Sequence, residues 1–350
     1  MIGNQLTPEQ PSVPSPPSRD LPAGRHQFHR EHLMTLIDND ARKTPTTTVA
    51  AVQHRPQWRR PLFALPAAAM ALAGVAGAVV LSLPHDADTP DGPPVASAPL
   101  QFADPNAGTS SGASKRLTEM ALVAATKPTV TAKPGQFVYV VDKATWVQRE
   151  ANNDTATVKF NQIVSDRQVW ESVDGRDGWL IATGVGDPAE GISLAGGDAP
   201  QFTLPSHEML AGFPTDPDEL LKRIYAQSKG QGSSPDQEAF VVVGDLLSES
   251  YPPAQLYSTL FKVAAKIPGV MIVDDAVDAT GRRGVAVARV NETSGERTEL
   301  IFDAKDYTYL GSRTVLTRDR ESLKAGTVTA SSTITDRAIV DKMKQLPAGK

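Results

Sequence analysis

The chain has 350 residues, 40% of them hydrophobic, a formal net charge of −5 and no cysteine. Without cysteine it can form no disulfide, no thiolate metal site and no cysteine nucleophile. The charge is also unevenly placed. Residues 1–60 hold eight basic and five acidic side chains, whereas residues 84–350 hold 27 and 35, so the larger part is acidic and nucleic acid is not an expected partner.

Residues 1–22 are rich in proline and serine and are expected to be disordered. Residues 24–38 ("GRHQFHREHLMTLID") read as a short helix. His26, His29 and His32 recur there at intervals of three. On a helix His26 and His32 are then about 120° apart around the axis, so the three imidazoles do not converge on one metal ion. A helix face that touches a partner is the better reading, and no metal or other cofactor is expected.

Residues 61–83 ("PLFALPAAAMALAGVAGAVVLSL") carry no charge. As a helix they would be about 34 Å long, enough for a hydrocarbon core of about 30 Å. Arg55, Trp58, Arg59 and Arg60 precede the run, and Asp86 and Asp88 follow it. The basic side stays in the cytoplasm. The expectation is a single-pass protein of the cell membrane, with a cytoplasmic tail at 1–60 and the rest outside. A cleaved leader fits less well, because sixty residues precede the apolar run.

Residues 84–114 are rich in Pro, Gly, Ser and Ala and read as a disordered spacer. An extracytoplasmic domain is expected over 115–346. "SKRLTEMALVAAT" is amphipathic, with Leu117, Met120, Ala121 and Ala124 on one side. "QFVYVVDKATWVQ", "TATVKFNQIV" and "RQVWESVDGRDGWLIATG" read as strands, the last folded at Asp174–Gly178. Three helices are expected next. The first starts at Asp216-Pro217 with Glu219 as reciprocal cap. The second starts at Ser234-Pro235 with Gln237 in that role, and the third is "PPAQLYSTLFKVAAKIPG". Strands return with "VMIVDDAV", "GVAVARV", "TELIFDA", "YTYLGSRTVL" and "GTVTASSTIT".

Strands in blocks, without βα alternation, predict an α+β fold whose antiparallel sheet curves over the helices as a half-barrel. Tyr139, Trp146, Trp170 and Trp179 are candidates for an apolar ligand face on that sheet, or for core beneath the helices. No catalytic constellation emerges. Beyond the apolar run only His85 and His207 are available, and no G-x-S-x-G surrounds a serine. Asp274-Asp275 lies at a strand end as solvated turn chemistry, and "SVDGRDGW" lacks the ligands of a calcium loop.

Several stretches resemble a family of actinobacterial single-pass membrane proteins of uncharacterised function, often encoded beside extracytoplasmic-function sigma factors. They are "LPAGRHQFHREHLM", "VWESVDGRDG", "DPDELL", "AFVVVGDLLSES", "AAKIPGVMIVDDAVDATGRRGVAVARV" and "ELIFDAKDYTYLGSRTVL". The element order is also similar to the lipoprotein-carrier and sigma-regulator half-barrels of bacterial envelopes. The resemblance implies a non-enzymatic regulator that senses outside and meets a sigma factor inside. Arg25, His32, Leu33 and Met34 are the expected contacts on the cytoplasmic helix. It equally implies a tethered carrier for a lipid or other hydrophobic ligand.

Overall fold

The computed structural model describes residues 97–152, 157–184, 188–195, 202, 205–248 and 251–349. The helix expected at 24–38, with Arg25, His32, Leu33 and Met34, and the apolar run 61–83 lie outside the described residues. Among the described residues no helix is long and apolar enough to cross a membrane.

The elements begin with strand Ser97–Ala98 (β1) and helix Ala113–Ala125 (α1). Four strands follow: Phe137–Asn152 (β2), Thr157–Ser172 (β3), Gly178–Ala182 (β4) and Ile192–Ser193 (β5). The helices are His207–Ala211 (α2), Pro217–Gln227 (α3), Pro235–Ser248 (α4) and Ala254–Ala264 (α5). Val270–Val277 (β6), Arg283–Asn291 (β7), Glu296–Asp303 (β8), Tyr309–Leu316 (β9) and Val328–Val340 (β10) complete the chain.

The expected α+β class is present. The strands pair in the order β5-β4-β3-β2-β10-β9-β8-β7-β6, with β1 added to β3, and the sheet is open. Every named pairing is antiparallel. The two expected groups of strands therefore belong to one sheet, and β10 joins them.

Alternation along each strand decides which side meets the helices. Val138 and Val140 of β2, Val285 and Val287 of β7, and Leu300 and Phe302 of β8 pack with Leu117, Phe240, Leu246, Leu260 and Phe261 of the helices. Gly244, in the middle of α4, permits close approach there. A Cβ on it would stand 3.0 Å from Leu300 Cδ2.

The far face is covered as well, so β8 is buried on both sides. Residues 101–109, read from composition as part of a spacer, are bound to the sheet instead. Val328 N donates to Gln101 O and Ala103 N to Gly326 O, at 2.9 and 2.8 Å. Arg297 on β8 donates to the carbonyls of Asp104 and Pro105, at 2.8 and 2.7 Å. Thr109 exchanges two backbone hydrogen bonds with Ile272 of β6, each 2.9 Å, and so covers part of that open edge. Ala107 packs on Ala286, Ala288 and Ile301 beneath this strap.

The expected N-caps at Asp216 and Ser234 form, whereas neither expected reciprocal cap, Glu219 or Gln237, is observed. Asp216 accepts from the backbone N–H groups of Asp218 and Glu219, and Ser234 accepts from Gln237 N. The Gln237 side chain does not act as a reciprocal cap. It is buried and accepts from Arg289 of β7 at 2.6 Å, because a buried guanidinium needs an acceptor more than a helix end does. Asp216→Ala is expected to cost about 1 kcal/mol, measured by urea unfolding. An unchanged midpoint would mean that the cap contributes nothing.

Candidate functional site

Two concavities lie beside the helix-covered face, and both are walled in part by Tyr309 and Ile334. The larger is an open cleft of about 630 Å³ between the end of α1, the segment entering α5, the start of β9 and the second half of β10. Its apolar wall comes from Val123, Pro128, Tyr257 and Leu310.

Three cations line the cleft. Lys127 Nζ donates to Thr308 Oγ1 at 2.6 Å, stands 3.7 Å from Asp306 Oδ1, and is 5.6 Å from the Tyr257 ring centroid. Burial holds its pKa below the ordinary lysine value, and the Asp306 carboxylate offsets part of that. Arg337 donates to the carbonyls of Leu247 and Ser248, two of the orphan acceptors at the end of α4, and lies 5.4 Å from the Tyr251 ring centroid. Arg282 donates to Ile334 O and pairs with Asp278. The Tyr257 hydroxyl is buried, and burial pushes its pKa well above the phenolic value.

The smaller concavity, about 160 Å³, lies between the helix-facing side of β2, β3, β8 and β10 and the helix α4. Val138, Val140, Val169, Leu180 and Leu300 belong to its apolar lining, and Asp142, Arg167, Glu171, Asp245 and Ser248 to its polar lining. Asp142 interrupts this apolar series and stands opposite Arg167 in register, with Nη1 and Oδ2 3.6 Å apart. Both side chains are almost wholly buried, at 7% and 10% exposure. Burial raises the Asp142 pKa against the opposing pull of Arg167 and Arg337.

The four aromatic residues expected on one ligand face do not share a face. Tyr139, Trp170 and Trp179 are direct neighbours across β2, β3 and β4. They lie on the side away from the helices, where Val340 and Met343 pack on them. Trp170 Nε1 donates to Gln345 O at 2.7 Å, and Lys344 Nζ lies 3.3 Å from the Trp179 ring centroid. Trp146 falls on the opposite side, with Asp142 and Ala144. The reason is parity: seven residues separate Tyr139 from Trp146, and an odd separation on a strand changes face.

Lys127, Arg337, Tyr257, Asp142 and Arg167 were not singled out from sequence. For Asp142 and Arg167 a signal was available. A charge interrupts the apolar alternation Val138, Val140, Asp142, Ala144, and another does so in Val169, Arg167, Ser165.

The turn at Asp174 uses its carboxylate internally, accepting from Ser172 Oγ and Arg176 N. Among the described residues no group of three His, Asp or Glu side chains is placed to hold a metal ion.

His207, the first residue of α2, is buried with Nδ1 lacking a hydrogen-bond partner. Burial holds its pKa below the ordinary imidazole value. As pH falls below about 6.5 the unfolded chain takes up the proton first, so stability falls with pH until the lowered native pKa is passed. Melting temperatures between pH 7.5 and 5.5 test this. His207→Gln is expected to flatten the decline, and an unchanged slope would assign the decline to other groups.

Comparison with protein-family models gives no match, and comparison with curated proteins gives none either.

Proposed function

We propose that the domain is the extracytoplasmic ligand-binding part of a single-pass membrane regulator, and that its ligand is amphipathic. The observation that carries this is the cleft of about 630 Å³, which shares Tyr309 and Ile334 with a second cavity lined by aliphatic and polar side chains. Small-molecule sites fall at about 300–1,000 Å³, with apolar walls and a few placed polar groups. Lys127 and Arg337 supply polar groups at the open end, and the aliphatic side chains of the inner cavity suit an alkyl segment. The sheet is read here as a half-barrel, bent by the irregularities between Ile334 and Asp336 and between Val273 and Ala276.

The activity is non-enzymatic in this reading. Arg282 is engaged by carbonyls and Asp278, and Lys127 by Thr308 and Asp306, which suits fixed recognition rather than proton transfer. On the other side of the membrane, the helix at 24–38 would engage a transcription factor, a sigma factor by the family resemblance, through Arg25, His32, Leu33 and Met34. A tethered carrier would use the same cleft and need no tail.

Two measurements test these parts. Titration of the full chain with a fluorescent long-chain fatty acid is expected to saturate. Val123→Glu on the exposed rim should weaken it at least about fivefold. Absence of saturable binding ends the ligand reading. Pull-downs with and without residues 1–54 test the partner: a sigma factor lost with the tail supports the regulator, and identical partners support the carrier.

A further inference from the structure

We infer that the inner cavity recognises a hydrogen-bond donor, so that the end of the ligand reaching it carries a neutral hydroxyl group. This rests on the reading of the cleft as the ligand site and adds the chemistry of the ligand's far end.

Asp142 carries the inference. Its residue exposure is 5%, it lines the cavity, and its Oδ1 has no hydrogen-bond partner. The other oxygen is 3.6 Å from Arg167 Nη1, which is an ion pair but beyond ordinary hydrogen-bond length. A buried carboxylate without a donor is rare in a folded protein and marks a place where something else donates. Gly244, Asp245 and Ser248 of α4 form the wall opposite. About 160 Å³ is comparable with cavities that accept a molecule of benzene size.

Three end groups are disfavoured by the same wall. An ammonium would stand beside the Arg167 guanidinium, with Arg337 also acting on the site; Glu171 and Asp245 in the same lining make it the least disfavoured of the three. A carboxylate would face Asp142 itself. A plain methyl end would fill the volume and leave Oδ1 without a donor, the situation a polar site rejects most strongly. A hydroxyl donates one hydrogen to the Asp142 carboxylate and brings no net charge. Asp245 and Ser248 of α4 line the same cavity and lie within its polar rim.

The test uses the full chain in an amphipathic polymer, since detergent would compete for the cleft. A fluorescent fatty acid is bound first and then displaced by fatty acids of equal length ending either in methyl or in a terminal hydroxyl, over a range of lengths. At the length that spans the two cavities, the hydroxyl-ended acid is expected to displace the probe at a concentration at least about tenfold lower. Asp142→Leu is expected to remove or reverse this preference while the probe still binds. If that variant does not fold, Asp142→Asn, which keeps size and polarity but adds a competing donor, should reduce the preference.

Equal displacement by both acids at every length overturns the inference and leaves the cleft standing as an apolar site. Failure of the probe to bind at all overturns the cleft reading and this one with it.

Discussion

Glu299→Gln is expected to destabilise the domain by about 3–5 kcal/mol, the range for breaking a buried charge network from one side. Glu299 is fully buried on the far face of β8 and holds two guanidinium groups. Arg297 lies 2.6 Å from Oε1, and Arg313 Nε donates to Oε2 at 2.7 Å. Removing the negative charge leaves two cations facing each other with only carbonyl partners, those of Asp104 and Pro105 for Arg297 and of Val277 for Arg313. Arg297 is 1% exposed and Arg313 12%, so water replaces little of what is lost. Urea unfolding measures the loss, and amide exchange should quicken at 103–109 because the strap hangs on Arg297. A change below about 1 kcal/mol would mean that the carbonyls alone satisfy both arginines. Replacing all three residues by apolar ones should cost less than the single change, since no charge is then left uncompensated.

Phe302→Ala is expected to cost about 3–5 kcal/mol through the cavity it leaves. The Phe302 ring is 1% exposed and stands at the centre of an aromatic group. Its centroid is 4.9 Å from Phe261, 5.6 Å from Tyr309 and 6.4 Å from Tyr257. Two of these partners, Tyr257 and Tyr309, wall the larger cleft, so the vacancy opens directly behind that wall. Denaturation measures the stability. The probe titration reads the second effect: affinity should change in Phe302→Ala but much less in Phe302→Leu. A loss under 1 kcal/mol would imply that the helices close over the gap, which the packing of α5 on this group makes an unfavourable rearrangement.

Local chemistry made the helices legible. Asp216-Pro217 and Ser234-Pro235 mark two helix starts through caps that need no tertiary contact. The hairpin at Asp174–Gly178 was equally plain, because its turn residues do their work within a few positions. What the sequence concealed was long-range. "TATVKFNQIV" and "RQVW" read as two strands, but Ser165 and Asp166 between them keep the period of two, so Thr157–Ser172 is one strand. Composition hid the strap at 101–109, since its hydrogen bonds are made by backbone groups that any residue supplies. Parity could have separated Trp146 from the other aromatics. Nothing local could have said that the helices would choose the face carrying Val138 and Val140 over the one carrying Tyr139. The cleft is less legible still. Its walls come from residues 123–130, 251–257, 282, 306–310 and 334–337, which no sequence window brings together.

The place of β10 has a consequence for how the protein is made. The last strand of the chain is an interior strand of the sheet, and Thr335 bonds to Val141 across 194 positions of sequence. Until β10 has left the ribosome, and in the proposed topology has crossed the membrane, β2 and β9 each present a long open edge with nothing to pair. Nascent chains are then most prone to joining one another edge to edge in the interval before β10 emerges. Such distant pairing is also slow, since a large loop must close before any hydrogen bond is gained. A chain truncated before residue 328 would keep nearly all its helices and most of its strands, yet should behave as two sticky fragments on one string.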